Sequence, residues 1–180
     1  MNPFQLKNWP PLTGLLHFFL AFFTTLQILT SLFTDYHLGI LIHGFGGIGL
    51  FLVTGCHWLW NFFHENGKML SHLFPYRKEH FHNVKQDFQN LLKKRLPNTG
   101  YQRGLPGLVE GLGLLVVTAM ALTGLPVFIG YLVQKGLLSS LVVKVFDIHS
   151  FLATFVWIYW FGHVGMACIQ AIMDRKRKTD

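Results

Sequence analysis

Four long apolar stretches, at 12–33, 39–63, 105–132 and 141–173, alternate with polar segments along this 180-residue chain. A helix needs about 20 residues to cross a hydrocarbon core, and each stretch meets that length. In lipid the backbone must satisfy its own hydrogen bonds, so each stretch is predicted to be a transmembrane α-helix. The connectors 34–38 and 133–140 are short and pair the helices into two antiparallel hairpins. The predicted fold is an all-α membrane protein, a four-transmembrane-helix bundle forming a single membrane domain over 1–180. The fourth stretch is long enough to project from the membrane by a turn or two. The first is too long for the apolar region of a signal peptide and lacks a small-residue cleavage site, so it is expected to be retained.

The third connection, 64–104, is long and polar. Within it Phe81, Val84, Phe88, Leu91 and Leu92 recur at helical spacing between His, Lys, Gln and Asn. This predicts an amphipathic helix at about 79–95, lying along the membrane surface. The same connection holds Lys68, Arg77, Lys78, Lys85, Lys93, Lys94, Arg95 and Arg103, and the tail adds Arg175, Lys176, Arg177 and Lys178. The short connectors offer only Lys135, with Lys144 at the head of the fourth helix. Basic residues stay inside, so both termini and the long loop are expected to be cytoplasmic, in the inner membrane of a bacterium. Anionic lipid and topology account for this charge, and no nucleic-acid partner is expected.

Composition agrees. Charged residues make up 13% of the chain, against about a quarter in soluble domains. The 18 Gly and 18 Phe fit helices that meet lipid yet pack closely on each other or on a ligand. Cys56 and Cys168 lie in apolar segments with no C-x-x-C or C-x-x-C-H around them, which argues against a zinc ribbon and covalent haem attachment. Both are expected to be reduced packing residues.

The candidate chemistry lies in ten histidines. His64, His72, His80 and His82 fall in the long loop and His37 in the first short connector. The other five lie in the apolar stretches, where ionisable groups are expensive and usually functional. His43 and His57 on the second helix are 14 residues apart, as are His149 and His163 on the fourth. Fourteen steps return to within about 40° of the same face and advance about 21 Å. Two histidine levels result, and they coincide because the two helices run the same way. Haem between facing imidazoles explains two such levels, since neutral imidazole is a good axial ligand. Zinc would ask for a tighter tetrahedral cluster, and a proton relay for more acids than Glu110. Gly44, Gly46, Gly47 and Gly49 follow His43, either to let a flat macrocycle approach the backbone or to pack helices closely.

Taken in order, these residues resemble the bacterial cytochrome b561 family and the related b-type subunits of membrane hydrogenases and formate dehydrogenases. The first helix carries Gly14 and His17, then Thr30 and Ser31 thirteen residues on. The second opens on Ile42, His43 and Gly44, the third has Thr123 and Gly124 near its end, and the fourth holds His149 and His163. The resemblance covers all four helices but not the long loop. It implies two non-covalent b haems, one between His43 and His149 nearer the periplasm and one between His17 and His163 nearer the cytoplasm. Gly44 and Gly47 would lie beside the cofactor. The chain departs from the pattern where His57 replaces a basic residue and Glu110 replaces a histidine. Glu110 precedes Thr123 by thirteen residues, as His17 precedes Thr30, so the hairpins look like a diverged repeat. His57 competes with His17 for the inner iron. The family order favours His17, and a bc-type arrangement would favour His57. The one left over would bond a propionate or face a quinone.

The expected function is electron transfer across or within the membrane by a di-haem cytochrome, with quinone as one partner and an unidentified redox protein as the other. An alternative is the cytochrome b anchor of a larger dehydrogenase or hydrogenase complex. If the chain is an enzyme, it is a quinone-linked oxidoreductase. A non-redox proton or metal transporter has against it the few polar residues between the histidine levels and the lack of a broken-helix pair. A structural anchor for a soluble partner is the remaining class. A bis-histidine b-type spectrum on reduction separates these.

Overall fold

The computed structural model describes residues 10–63, 70, 73–74, 78–93, 104–133 and 139–179. All the regular structure among them is helical: α1 (Pro11–Ser31), α2 (His37–Phe63), α3 (Lys78–Leu92), α4 (Leu105–Val133) and α5 (Ser140–Thr179). Four of these, α1, α2, α4 and α5, are long and apolar enough to cross a membrane. The predicted His64 and His72, much of the second short connector, and the basic residues Lys68, Arg77, Lys94, Arg95, Arg103 and Lys135 lie outside the described residues.

Element ends follow local chemistry. Pro11 opens α1, where a missing amide proton costs nothing. At its other end the hydroxyls of Thr30 and Ser31 turn back onto the carbonyls of Leu26 and Ile28, each at 2.7 Å. The Leu32 amide then closes a tighter bond on Leu29, and α1 ends two residues before the predicted limit. α2 starts at His37, so this residue belongs to the helix and not to the connector. α5 runs 40 residues, about 60 Å at the helical rise, which is twice the hydrocarbon thickness.

The described chain falls into two compact units. The first comprises Met1–Gly55 and Val116–Asp180, and so holds α1, most of α2, the second half of α4, and α5. Glycine lets its helices approach. A β-carbon on Gly44 would overlap the Phe128 ring, one on Gly49 the Phe23 ring, and one on Gly130 would press on Val142. Polar side chains add links, as where Trp160 Nε1 donates to Thr25 Oγ1 at 3.1 Å. The core is small, with Ile28, Leu50, Val117, Ala121, Phe128 and Val156 buried. Most other large apolar side chains are exposed, as an outward face in lipid requires.

The second unit, Cys56–Leu115, holds the end of α2, α3 and the start of α4. Asp87 on α3 is fully buried, and its carboxylate accepts the Leu105 amide at 3.1 Å, capping α4 from another segment. Phe81, Phe88 and Leu92 are exposed on the same amphipathic helix. Trp58 and Phe74 stack nearly parallel at 6.2 Å. The Leu73 carbonyl occupies the space a side chain on Gly111 would need.

Candidate functional site

Within the first unit the helices bring four histidines together as two pairs. The ring centroids of His43 on α2 and His149 on α5 lie 6.4 Å apart, with the rings nearly perpendicular. Those of His17 on α1 and His163 on α5 lie 6.2 Å apart. The pairs are separated along α5 by 14 residues, about 21 Å. All four rings are half-buried. Among the described residues no three His, Cys, Asp or Glu side chains converge, so the arrangement is one of pairs.

Each ring of the first pair is held by a threonine. Thr30 Oγ1 lies 3.0 Å from His43 Nδ1 and 2.7 Å from the carbonyl of Leu26. A hydroxyl has one proton to give. Thr30 gives it to the carbonyl, so it accepts from the ring and Nδ1 carries the ring proton. Thr123 repeats this on the other hairpin, 2.8 Å from the Ala119 carbonyl and 3.0 Å from His149 Nδ1. In both histidines Nε2 is therefore the nitrogen with a free lone pair, the state a metal ligand needs. Gly124 makes room, since a β-carbon there would sit 2.9 Å from His149 Cε1.

At the second pair His163 stacks on Tyr159, one turn before it on α5, with centroids 5.4 Å apart. His57 is differently placed. It lies in the second unit, and its Nδ1 is 2.9 Å from Asn61 Nδ2. An amide nitrogen only donates, so Nδ1 of His57 accepts and its ring proton sits on Nε2. This tautomer is the reverse of that in His43 and His149. His37 meets Tyr131, with Nδ1 2.7 Å from the phenolic oxygen.

The pairs fit a haem iron. An iron bonded to one nitrogen of each ring at about 2 Å would hold the ring centroids roughly 6 Å apart, as both pairs do. Two buried polar atoms of the first unit lack a partner among the described residues, Gln27 Nε2 and Thr54 Oγ1. The glycines of α2 differ in their surroundings. Gly44 is filled by Phe128 and Gly46 faces the Gln27 amide, whereas Gly47 has the Gln27 oxygen at 3.7 Å, an ordinary contact.

Sequence reasoning marked Thr30 and Thr123 as repeat positions but gave them no role. Their signal was a threonine on an apolar helix, thirteen residues from a histidine on each side in the first hairpin. Asn61, four residues after His57, and Tyr131 were not foreseen at all.

No curated protein and no solved structure is detectably similar to the chain. A family model described as prokaryotic cytochrome b561 matches residues 8–179. That match spans all four membrane helices and both histidine pairs. The chain therefore belongs to the prokaryotic cytochrome b561 family, multi-pass inner-membrane cytochromes that bind haem b and transfer electrons.

Proposed function

We propose that the chain is a di-haem cytochrome carrying single electrons across the membrane between quinone and a redox partner protein. His43 and His149 would hold one haem b, and His17 and His163 the other. The observation that carries this reading is the pair of ring separations, 6.4 and 6.2 Å, made to two histidines 14 residues apart on α5. His17 is preferred to His57 because it is the ring found beside His163, and because His57 accepts at Nδ1 and holds its proton on Nε2.

Haem b, when bound there, would supply one-electron transfer. The residues of the chain do the rest. His43 with His149, and His17 with His163, would each hold a haem by two imidazole nitrogens, which suits electron transfer and not oxygen chemistry. Thr30 and Thr123 hold the Nδ1 protons and fix the ring planes. The apolar helices keep water away, and ligand, hydrogen bonds and burial together set the potential. By the distribution of Lys and Arg, both termini and the loop 64–104 are cytoplasmic. The His43–His149 pair then lies toward the periplasm, and α3 lies along the inner surface with Phe81, Phe88 and Leu92 in the lipid.

The test is a pyridine haemochrome assay on the purified protein, with two haems b expected per chain. Acid-acetone should extract all the colour, since no C-x-x-C-H can attach it. A count of one or none would refute the reading.

A further inference from the structure

Between the two histidine pairs, α5 is tied to α1 by an indole. Trp160 Nε1 donates to Thr25 Oγ1 at 3.1 Å. Thr25 lies eight residues after His17 and five before Thr30, the residue that holds His43. Trp160 lies eleven residues after His149 and three before His163. Both ends of the bond therefore fall between the two levels. Along their own helices they stand about 12 Å from His17 and about 16 Å from His149.

Trp160 also lies on the inward face of α5. Eleven residues return to within about 20° of the direction of His149. Val156, seven residues after His149 and on the same face, is buried at 7% exposure. A helical side chain leans toward the N-terminal end of its helix, so the indole leans from its α-carbon toward the His149 level. The bond to Thr25 then holds the ring against turning. On α2 the matching place, eleven residues after His43, carries no ring but Thr54, buried at 3% exposure.

We infer that Trp160 is a positioning residue for electron transfer between the two haem sites, its indole held by Thr25 as an aromatic bridge in the gap. The inference rests on the pairing of His43 with His149 and of His17 with His163. In each transfer one electron passes, one haem is oxidised and the other reduced, and no proton moves. The indole is neither oxidised nor reduced. Its conjugated electrons improve the coupling across a span of about 21 Å, where a saturated side chain would offer only σ bonds.

Pulse radiolysis of the full-length, haem-loaded protein injects one electron, and the absorption bands of the two reduced haems follow its redistribution. Trp160→Leu should slow that redistribution by about tenfold, equivalent to about 1.4 kcal/mol of barrier. Trp160→Phe, which keeps a ring, should recover most of the rate. Thr25→Val keeps the indole but removes its acceptor, and should give an intermediate rate. Both haems and both midpoint potentials should stay as in the wild type, so that the rate reports coupling and not driving force. An unchanged rate in Trp160→Leu would overturn the inference and leave the haem assignment standing. Equal slowing in the Leu and Phe variants would overturn it too, as would a slowing matched by a shift in potential. Should Trp160→Leu lose a haem, Thr25→Val decides, and a wild-type rate there overturns the inference. A single haem in the wild-type protein would overturn the haem assignment, and this inference with it.

Discussion

The two hairpins build the same device at one end and different devices at the other. Near the connectors, Thr30 and Thr123 each bond the carbonyl four residues back, at 2.7 and 2.8 Å, and a histidine Nδ1 at 3.0 Å. Below that level the correspondence fails. His17 on α1 matches Glu110 on α4, each thirteen residues before its threonine. His57 on α2 matches His163 on α5, yet His57 bonds Asn61 while His163 sits beside His17 and stacks on Tyr159. Equivalent residues of the two hairpins therefore form one histidine pair. The other takes its histidines from the first helix of one hairpin and the last helix of the other. Glu110 stands at the position that matches His17, and this one difference makes the lower level asymmetric.

The largest effects should come from removing one ring. His149→Ala should lower the haemochrome count from two to one and leave the signal of the lower haem, and His163→Ala should do the reverse. Retention of both haems in His149→Ala would break the assignment of the upper pair. The asymmetry has its own test. His17→Ala should lose one haem, whereas Glu110→Gln should lose none. Loss of a haem in Glu110→Gln would mean that the repeat is still used symmetrically.

How far the sequence carries depends on the range of the interaction. The four spans were legible because hydrophobic length is a property of the local chain. The facing of His43 with His149 and of His17 with His163 was legible only as an implication of the family pattern. Spacing alone places histidines at two levels and does not say which helix faces which. Ring tautomers were beyond reach, since they depend on contacts between helices. Thr30 reaches across to His43, and Thr123 to His149, and no periodicity announces this. The buried Asp87 cap on Leu105 was hidden for the same reason, lying 18 residues away in a helix whose pattern reads as surface.

An intermediate effect should separate the hairpins where their packing differs. Gly124 follows Thr123, and Ser31 follows Thr30 at the matching position. A β-carbon on Gly124 would lie 2.9 Å from His149 Cε1, so Gly124→Ala must push the ring. Overpacking of this kind costs about 1–3 kcal/mol. Partial loss of the upper haem or a changed low-spin signal is expected, read by electron paramagnetic resonance. Ser31 directs its hydroxyl to the Ile28 carbonyl, and Ser31→Gly should leave both haem signals unchanged. Equal damage from the two changes would mean that the first hairpin holds its ring as tightly as the second.

The smallest expected effect tests the symmetry of the upper site most closely. Thr30→Val and Thr123→Val keep the shape of the side chain and remove the oxygen that accepts from Nδ1. A hydrogen bond at Nδ1 raises the basicity of the ligating nitrogen, which favours the ferric iron. Without it the upper haem should be easier to reduce, so its potential rises. A typical hydrogen bond contributes about 0.5–1.5 kcal/mol, which for one electron corresponds to about 20–60 mV. Since both threonines hold rings proposed for one iron, and at the same 3.0 Å, the single changes should shift the potential equally. The double variant should shift it by roughly twice as much, with the lower haem unmoved. The check is a redox titration followed at the absorption bands of reduced haem b. If Thr123→Val moves the upper potential and Thr30→Val does not, the His43 ring does not depend on the Thr30 oxygen. The two hairpins would then be alike in geometry but not in the bond that tunes the iron.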